Sequence, residues 1–230
     1  MLQRSSSTKS GRFFLSRRGT TEFFREYDEF YIPAESYSIN VFNSTLAVST
    51  YRGIEVLTLD KKQPWTVPLL RSDTPEAQPY LSSIGQRTRD LRPLGMFRLG
   101  DSEFLVTYTE CAVYVNQHGD VSRSVVMEFV GKAQSACLYG KYLILFNEDF
   151  VEVRNAMNGR LRQVIPGRNV VCLDTGGNLP ASSGGLSAVG ARELGAAAAS
   201  GRTVKFSMQH PENQRGRIIL EFIENAVQMD

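Results

Sequence analysis

Histidine is scarce. The 230 residues contain two, His118 and His210, which leaves little material for a transition-metal site or for acid–base work near neutral pH. The three cysteines, Cys111, Cys137 and Cys172, are odd in number and widely spaced, and fit neither a disulfide framework nor a zinc pattern. Each lies in or beside an apolar run, so buried reduced thiols and a cytosolic setting are expected. No apolar run approaches the ~18 residues of a transmembrane helix. Phe13, Phe14 and Leu15 are flanked by arginines, so the apolar heart of a signal peptide is missing, and the sequon at Asn43-Ser44-Thr45 has no expected use. There is no Gly-x-Ser-x-Gly elbow, and Gly131-Lys132 lacks the upstream glycine and the following Ser or Thr of a phosphate loop. A dominant charge is lacking too: 26 Lys and Arg face 24 Asp and Glu, for a net charge of +2. Five of the basic residues, Arg4, Lys9, Arg12, Arg17 and Arg18, precede the first acid, Glu22. The remainder is therefore mildly acidic, which argues against a nucleic-acid footprint spread over the body.

What is present suits a packed core. The chain is 42% hydrophobic and 22% charged, with 19 glycines and 9 prolines. That excludes collagen-like and wholly disordered classes. Residues 1–22 are basic and Ser-rich without a core-forming period, and are expected to form a disordered tail. Two loop insertions are expected in the body, residues 23–230. One lies near 61–92, rich in Pro, Gln, Arg and Asp. The other is 174–201, where Gly, Ala and Ser fill 18 of 28 positions and offer too few large side chains to offset backbone ordering. Gly176-Gly177 and Gly184-Gly185 read as linker glycines within it.

Elsewhere the punctuation is that of a β protein. Phe104–Tyr108, Cys111–Val115, Tyr142–Phe146, Phe150–Arg154 and Leu161–Ile165 are short apolar or alternating runs separated by turn residues. Tyr142–Phe146 reads as a strand buried on both faces. Asn158-Gly159 is the strongest hairpin signal, and Gly119 supplies a positive φ in the turn after Val115. Ser38–Phe42, Thr45–Ser49 and Ile54–Leu59 repeat the rhythm early, as do Val204–Met208 and Ile218–Ile223 late. Grouped, the runs make four units starting near Ser38, Leu94, Gln134 and Val170. A loose repeat of three or four strands per unit is the pattern of β-propeller blades, although no Trp-Asp dipeptide occurs. The expected fold class is all-β, a partial or complete β-propeller of about four blades. A β-sandwich also accounts for short strands with turns.

Several stretches carry a family resemblance. They are Phe23-Phe24-Arg25-Glu26-Tyr27 through Glu35-Ser36 and Ser38-Ile39-Asn40; Tyr51–Val56; Glu103–Tyr108 running to Asn116, Gly119 and Ser122-Arg123; and Tyr142–Phe146 with Phe150–Arg154, Gly159 and Gln163–Gly167. Together they resemble the citron homology (CNH) domain, most closely the version in fungal Rho-type guanine nucleotide exchange factors. The likeness spans roughly residues 23–175. It implies a β-propeller acting as a protein-interaction and regulatory platform in small-GTPase signalling, with partners among Rho-family GTPases or their regulators. It carries over no exchange activity, because the exchange domain of those proteins is absent here. Two departures stand out. A whole domain of this family is longer on its N-terminal side, and residues 128–133 lack the proline that follows the family's Ser-Arg pair. An open arc of blades leaves two sheet edges for the tail, a second copy or a partner to cover, whereas four blades can in principle close.

The residues present give no catalytic constellation, so the chain is expected not to be an enzyme, with no catalytic, cofactor-binding or metal-ligating residues and no cofactor. His118 and His210 read as loop residues. Glu148, Asp149 and Glu152 form an acidic cluster at a hairpin, which reads as a solvated turn or, if functional, as a surface facing a cation. Loop 61–92 and turn 147–149 are the candidate contact regions. The basic tail, with Phe13-Phe14, could touch an anionic membrane, and a Ser in it could switch that contact off when phosphorylated. The expected location is cytoplasmic, with peripheral contact at the plasma membrane. A scaffold in vacuolar or endosomal tethering and a propeller hydrolase are the alternatives.

Overall fold

The computed structural model describes residues 2–4, 24–26, 29, 31–32, 34–42, 45–58, 64–71, 76–174 and 203–223. The chain divides into two compact units, Met1–Pro33 and Ala34–Asp230. In the first, β1 (Leu2–Arg4) pairs antiparallel with β2 (Phe24–Glu26), Leu2 opposite Glu26. This ladder pairs the backbone groups of Leu2–Arg4 with those of Phe24–Glu26. The rest of the basic stretch lies outside the described residues.

Four antiparallel sheets follow one another in the second unit. The first holds β3 (Ser36–Val41), β4 (Thr45–Thr50), β5 (Gly53–Thr58) and β6 (Pro64–Val67). The second holds β7 (Pro93–Arg98), β8 (Glu103–Tyr108), β9 (Cys111–Asn116) and β10 (Met127–Glu128). The third holds β11 (Ser135–Tyr139), β12 (Tyr142–Phe146), β13 (Phe150–Asn155) and β14 (Leu161–Pro166). The fourth holds β15 (Val171–Cys172), β16 (Lys205–Gln209) and β17 (Arg217–Glu221). Within each sheet, strands adjacent in sequence are adjacent in space. These are the blades of a β-propeller, and their starts fall beside the four positions expected from the repeat. Four sheets stacked in series exclude the two-layer sandwich.

Residue alternation explains the stacking. On β12, Leu143 and Leu145 join a core with the second sheet, which contributes Phe97, Leu105, Ala112 and Tyr114. Ile144 and Phe146 point the other way, into a core with Phe206 and Met208 of the fourth sheet. A strand covered on both faces needs no polar alternation, which is why Tyr142–Phe146 is an unbroken apolar run. A third core joins Ala47, Ile54 and Val56 of the first sheet to Met96, Val106 and Val113 of the second. Among the described residues no fourth core joins the last sheet to the first. On the fourth sheet, Val171 and Ile219 share a row through Ser207, and both are exposed.

Polar links fix the sheets in register. Asn40 Oδ1 accepts the Met96 N–H at 3.0 Å, and Ser38 Oγ donates to the Leu94 carbonyl at 2.9 Å. Both tie β3 to β7. Gly159 sits at φ +72° in the β13–β14 hairpin. Gly119 sits at φ +94° in the turn after β9, where a Cβ would come within 2.5 Å of Val67.

The stretch 61–92 differs from the loop expected of it. It contains β6 and a helix, α1 (Gln78–Thr88), which buries Leu81, Ile84 and Thr88. Ser82, Ser83 and Gly85 mask the helical spacing of Leu81 and Ile84, and packing of Ile84 on the first core overrides their weak propensity, while Pro79 sits in the first turn, where proline is tolerated. At Gly85 a Cβ would lie 3.2 Å from the end of the Leu70 side chain, a tight contact. The expected loop 174–201 lies outside the described residues from position 175 onward, as does the turn at Asn43-Ser44.

Candidate functional site

A cleft of about 530 Å³ opens at one end of the second and third sheets. Four connections build it: the residues before β7 (Asp90, Arg92), the β8–β9 turn (Thr109), the segment before β11 (Lys132, Ala133, Gln134) and the β12–β13 turn (Asn147 to Phe150). Backbone hydrogen bonds stitch them together. Thr109 N–H donates to Arg92 O at 3.1 Å, Ala133 N–H to Thr109 O at 2.7 Å, and Gln134 N–H to Phe146 O at 2.8 Å. The turn closes on itself through Asn147 N–H and Phe150 O at 2.9 Å. The loops are thus held by rigid sheets, the arrangement that favours recognition.

Two side chains lining this cleft are buried and unspent. Asn147 is 3% exposed and Thr109 4%. The Thr109 hydroxyl and both polar atoms of the Asn147 carboxamide have no hydrogen-bond partner among the described residues. Such groups cost about 1–3 kcal/mol each when left unmatched, so they are uncommon without a purpose. Gly131 leaves room beside Asn147; a Cβ there would lie 2.8 Å from Oδ1 and 2.6 Å from the Phe150 ring.

Around the cleft, Asp90, Glu148 and Asp149 are exposed, and among the described residues no cation pairs with them. The two basic groups are already engaged. Arg92 Nη2 donates to Gln134 O at 3.0 Å, and its guanidinium lies 5.7 Å from the Tyr37 ring centre. Lys132 Nζ is 4.0 Å from Glu110. The unbalanced charge of the cleft is negative.

The acidic trio expected from sequence is thereby split. Glu148 and Asp149 stand at the cleft. Glu152 is fully buried, takes the Val130 N–H at 3.0 Å and pairs with Arg154, whose Nη1 donates to Gly159 O at 2.7 Å. Asp90 and Asn147 fall in the two contact regions expected from sequence, stretch 61–92 and turn 147–149, whereas Thr109 was missed, as was the meeting of the three in one cleft. Nothing in their spacing signals it, because they converge from separate connections.

Other expected positions resolve differently. Arg123 of the Ser-Arg pair bonds Glu103 at 2.6 and 2.8 Å, stacks 3.8 Å from the Tyr114 ring centre and donates to Met157 O. Burial raises the Tyr114 phenol, with Arg123 opposing, while the hydrogen bond to Glu103 raises Arg123. This pair joins the second and third sheets and is structural. His118 is exposed in its turn. His210 Nδ1 accepts the Glu212 and Asn213 N–H groups at 3.1 and 3.2 Å and so organises its loop. Cys111 and Cys137 are buried and Cys172 half-buried, all free thiols. A hydrogen bond from Cys137 lowers the Cys172 thiol, against the effect of burial. Against α1 lies a second cleft of about 460 Å³, lined by Arg52, Leu70, Gln86 and Tyr108 among others. No group of three or more His, Cys, Asp or Glu suited to a metal occurs among the described residues.

Comparison with known proteins gives a consistent picture. The family model described as the CNH domain matches residues 7–176. Rho1 guanine nucleotide exchange factor 3 of Schizosaccharomyces pombe is 30% identical over 212 residues, which cover 90% of this chain and 14% of that protein. RHO1 GDP-GTP exchange protein 2 of Saccharomyces cerevisiae is 23% identical over 153 residues, covering 66% of this chain and 10% of that protein. The chain therefore spans a small part of the curated relatives it matches. The solved AfRom2 CNH domain shares the fold, with a TM-score of 0.62 at 22% identity over 88% of this chain and 54% of that one.

Proposed function

Because the chain belongs to the CNH domain family, we propose that it is a non-catalytic interaction module of small-GTPase signalling, engaging Rho-family GTPases or their regulators. The observation that carries the reading is the family match over residues 7–176 together with relatives named as Rho1 exchange factors. Those relatives are far longer than the matched region, so their exchange activity is not transferred to this chain. The cleft supports the reading in physical terms. It offers unspent hydrogen-bonding groups and uncompensated charge on a rigid frame, as recognition requires, with no nucleophile–base pair assembled in it.

Nucleotide release from a purified Rho-type GTPase, with and without the whole chain, tests it alongside pull-down of the GTPase and of exchange-factor fragments. Retention of one of these proteins with an unchanged release rate is expected. Acceleration of release by the chain alone would overturn the reading. The basic N-terminal stretch adds a second proposal: the chain works in the cytoplasm with peripheral contact to anionic membrane. Co-sedimentation with phosphatidylserine vesicles that fades with added salt is expected, and equal binding to neutral vesicles would count against it.

A further inference from the structure

We propose that the cleft between the second and third sheets receives an extended peptide segment of a protein partner, its backbone amide held by Asn147 and its lysine or arginine side chain by Asp90, Glu148 and Asp149. This deepens the interaction-module reading and rests on it. Asn147 lines the cleft, and its carboxamide carries an NH2 and a C=O side by side, the complement of a peptide C=O and N–H. Neither is used within the described residues, and the equally unspent Thr109 hydroxyl lines the same cleft. A volume of about 530 Å³ suits a few residues rather than a folded surface. The half-buried Phe150 ring supplies an apolar wall for the stem of a long cationic side chain.

Charge selects the side chain. Of the five ionic residues lining the cleft three are acidic; Arg92 keeps its charge but has a donor turned to Gln134 O, and Lys132 lies 4.0 Å from Glu110 outside the lining, so the acids outweigh the bases. The three carboxylates favour a guanidinium or ammonium over an acidic group. A bound metal fits less well, since these side chains form no metal-suited group among the described residues.

The test uses isotope-labelled whole chain and two probes, acetyl-Gly-Arg-Gly-amide and acetyl-Gly-Glu-Gly-amide, titrated at millimolar concentration. The side-chain NH2 resonance of Asn147 should shift saturably with the arginine peptide, and at least tenfold more weakly with the glutamate peptide. Asn147→Ala should abolish the saturable arginine-peptide shifts of the backbone amides of Thr109 and Phe150, which line the same cleft, in a chain that keeps its β spectrum. The triple variant Asp90→Asn, Glu148→Gln, Asp149→Asn should weaken arginine-peptide binding tenfold or more. Gly131→Ala, whose methyl would press on the Phe150 ring and the Asn147 carboxamide, should weaken arginine-peptide binding without removing any polar group. No shift at Asn147, or an equal response to both peptides, would overturn the proposal. Should the peptide fail while the whole chain still retains signalling proteins, the interaction-module reading stands and only this cleft assignment falls.

Discussion

Glu152 reaches across from β13 to accept the backbone N–H of Val130 at 3.0 Å, and in doing so anchors the segment that forms one wall of the cleft. The carboxylate is fully buried, and Arg154, two residues along the same strand, is its charge partner. A buried ion pair is weak evidence for added stability, but breaking one leaves an uncompensated charge. Glu152→Ala should therefore cost about 3–5 kcal/mol in chemical denaturation. Glu152→Gln, which keeps an acceptor for Val130, should cost distinctly less. Equal losses for the two would show that the link to Val130 contributes nothing.

The link between Asn40 and Met96 is a comparable case in the first core. Asn40 is 4% exposed, and its Oδ1 takes a backbone N–H from the neighbouring sheet. Asn40→Ala would strand that N–H in an apolar setting, at about 1–3 kcal/mol. Hydrogen exchange should show Met96 losing protection while Ile144, in the third sheet, keeps it. Unchanged exchange at Met96 would mean the bond does not hold β3 to β7.

Alkaline stability follows from Cys111. Burial pushes this thiol from 9.0 up to about 11, with Arg87 opposing the shift. Between those values the unfolded chain has released the proton and the folded chain has not. Stability is therefore complete below pH 9 and falls as pH rises toward 11, by about 3 kcal/mol from this group. Burial raises the Tyr108 phenol as well, so its contribution has the same sign. Urea midpoints measured at pH 8, 9.5 and 10.5 should decline, and Cys111→Ala should make the decline shallower. A slope untouched by the substitution would contradict the assignment to this thiol.

Much of the fold was legible before any coordinates. Each blade carries its own turn chemistry and apolar runs, so Asn158-Gly159 and Tyr142–Phe146 announce a hairpin and a central strand locally. Helix α1 was not legible, since Ser82, Ser83 and Gly85 are weak helix formers in its interior, and burial of Leu81 together with packing of Ile84 on the first core sustains it. The cleft was half legible. Glu148 and Asp149 stood out as an acidic turn, but neighbouring Glu152 lies on a strand covered on both faces, where Val151, Glu152 and Val153 are all buried. Asn147 stood out only as part of the 147–149 turn and Thr109 gave no signal, because what sets both side chains apart is the lack of partners, a property of three-dimensional placement alone. Cys172 is similar: the hydrogen bond from Cys137 crosses between sheets.

Proximity labelling in a fungal host, with the whole chain fused to a biotin ligase, compares the native cleft with the Asp90→Asn, Glu148→Gln, Asp149→Asn variant most directly. The native chain should label Rho-family GTPases or their regulators above a ligase-only control, and the variant should lose that labelling while remaining folded and equally abundant. A native set without any component of small-GTPase signalling would contradict the functional reading, and identical sets from both chains would contradict the role of the cleft.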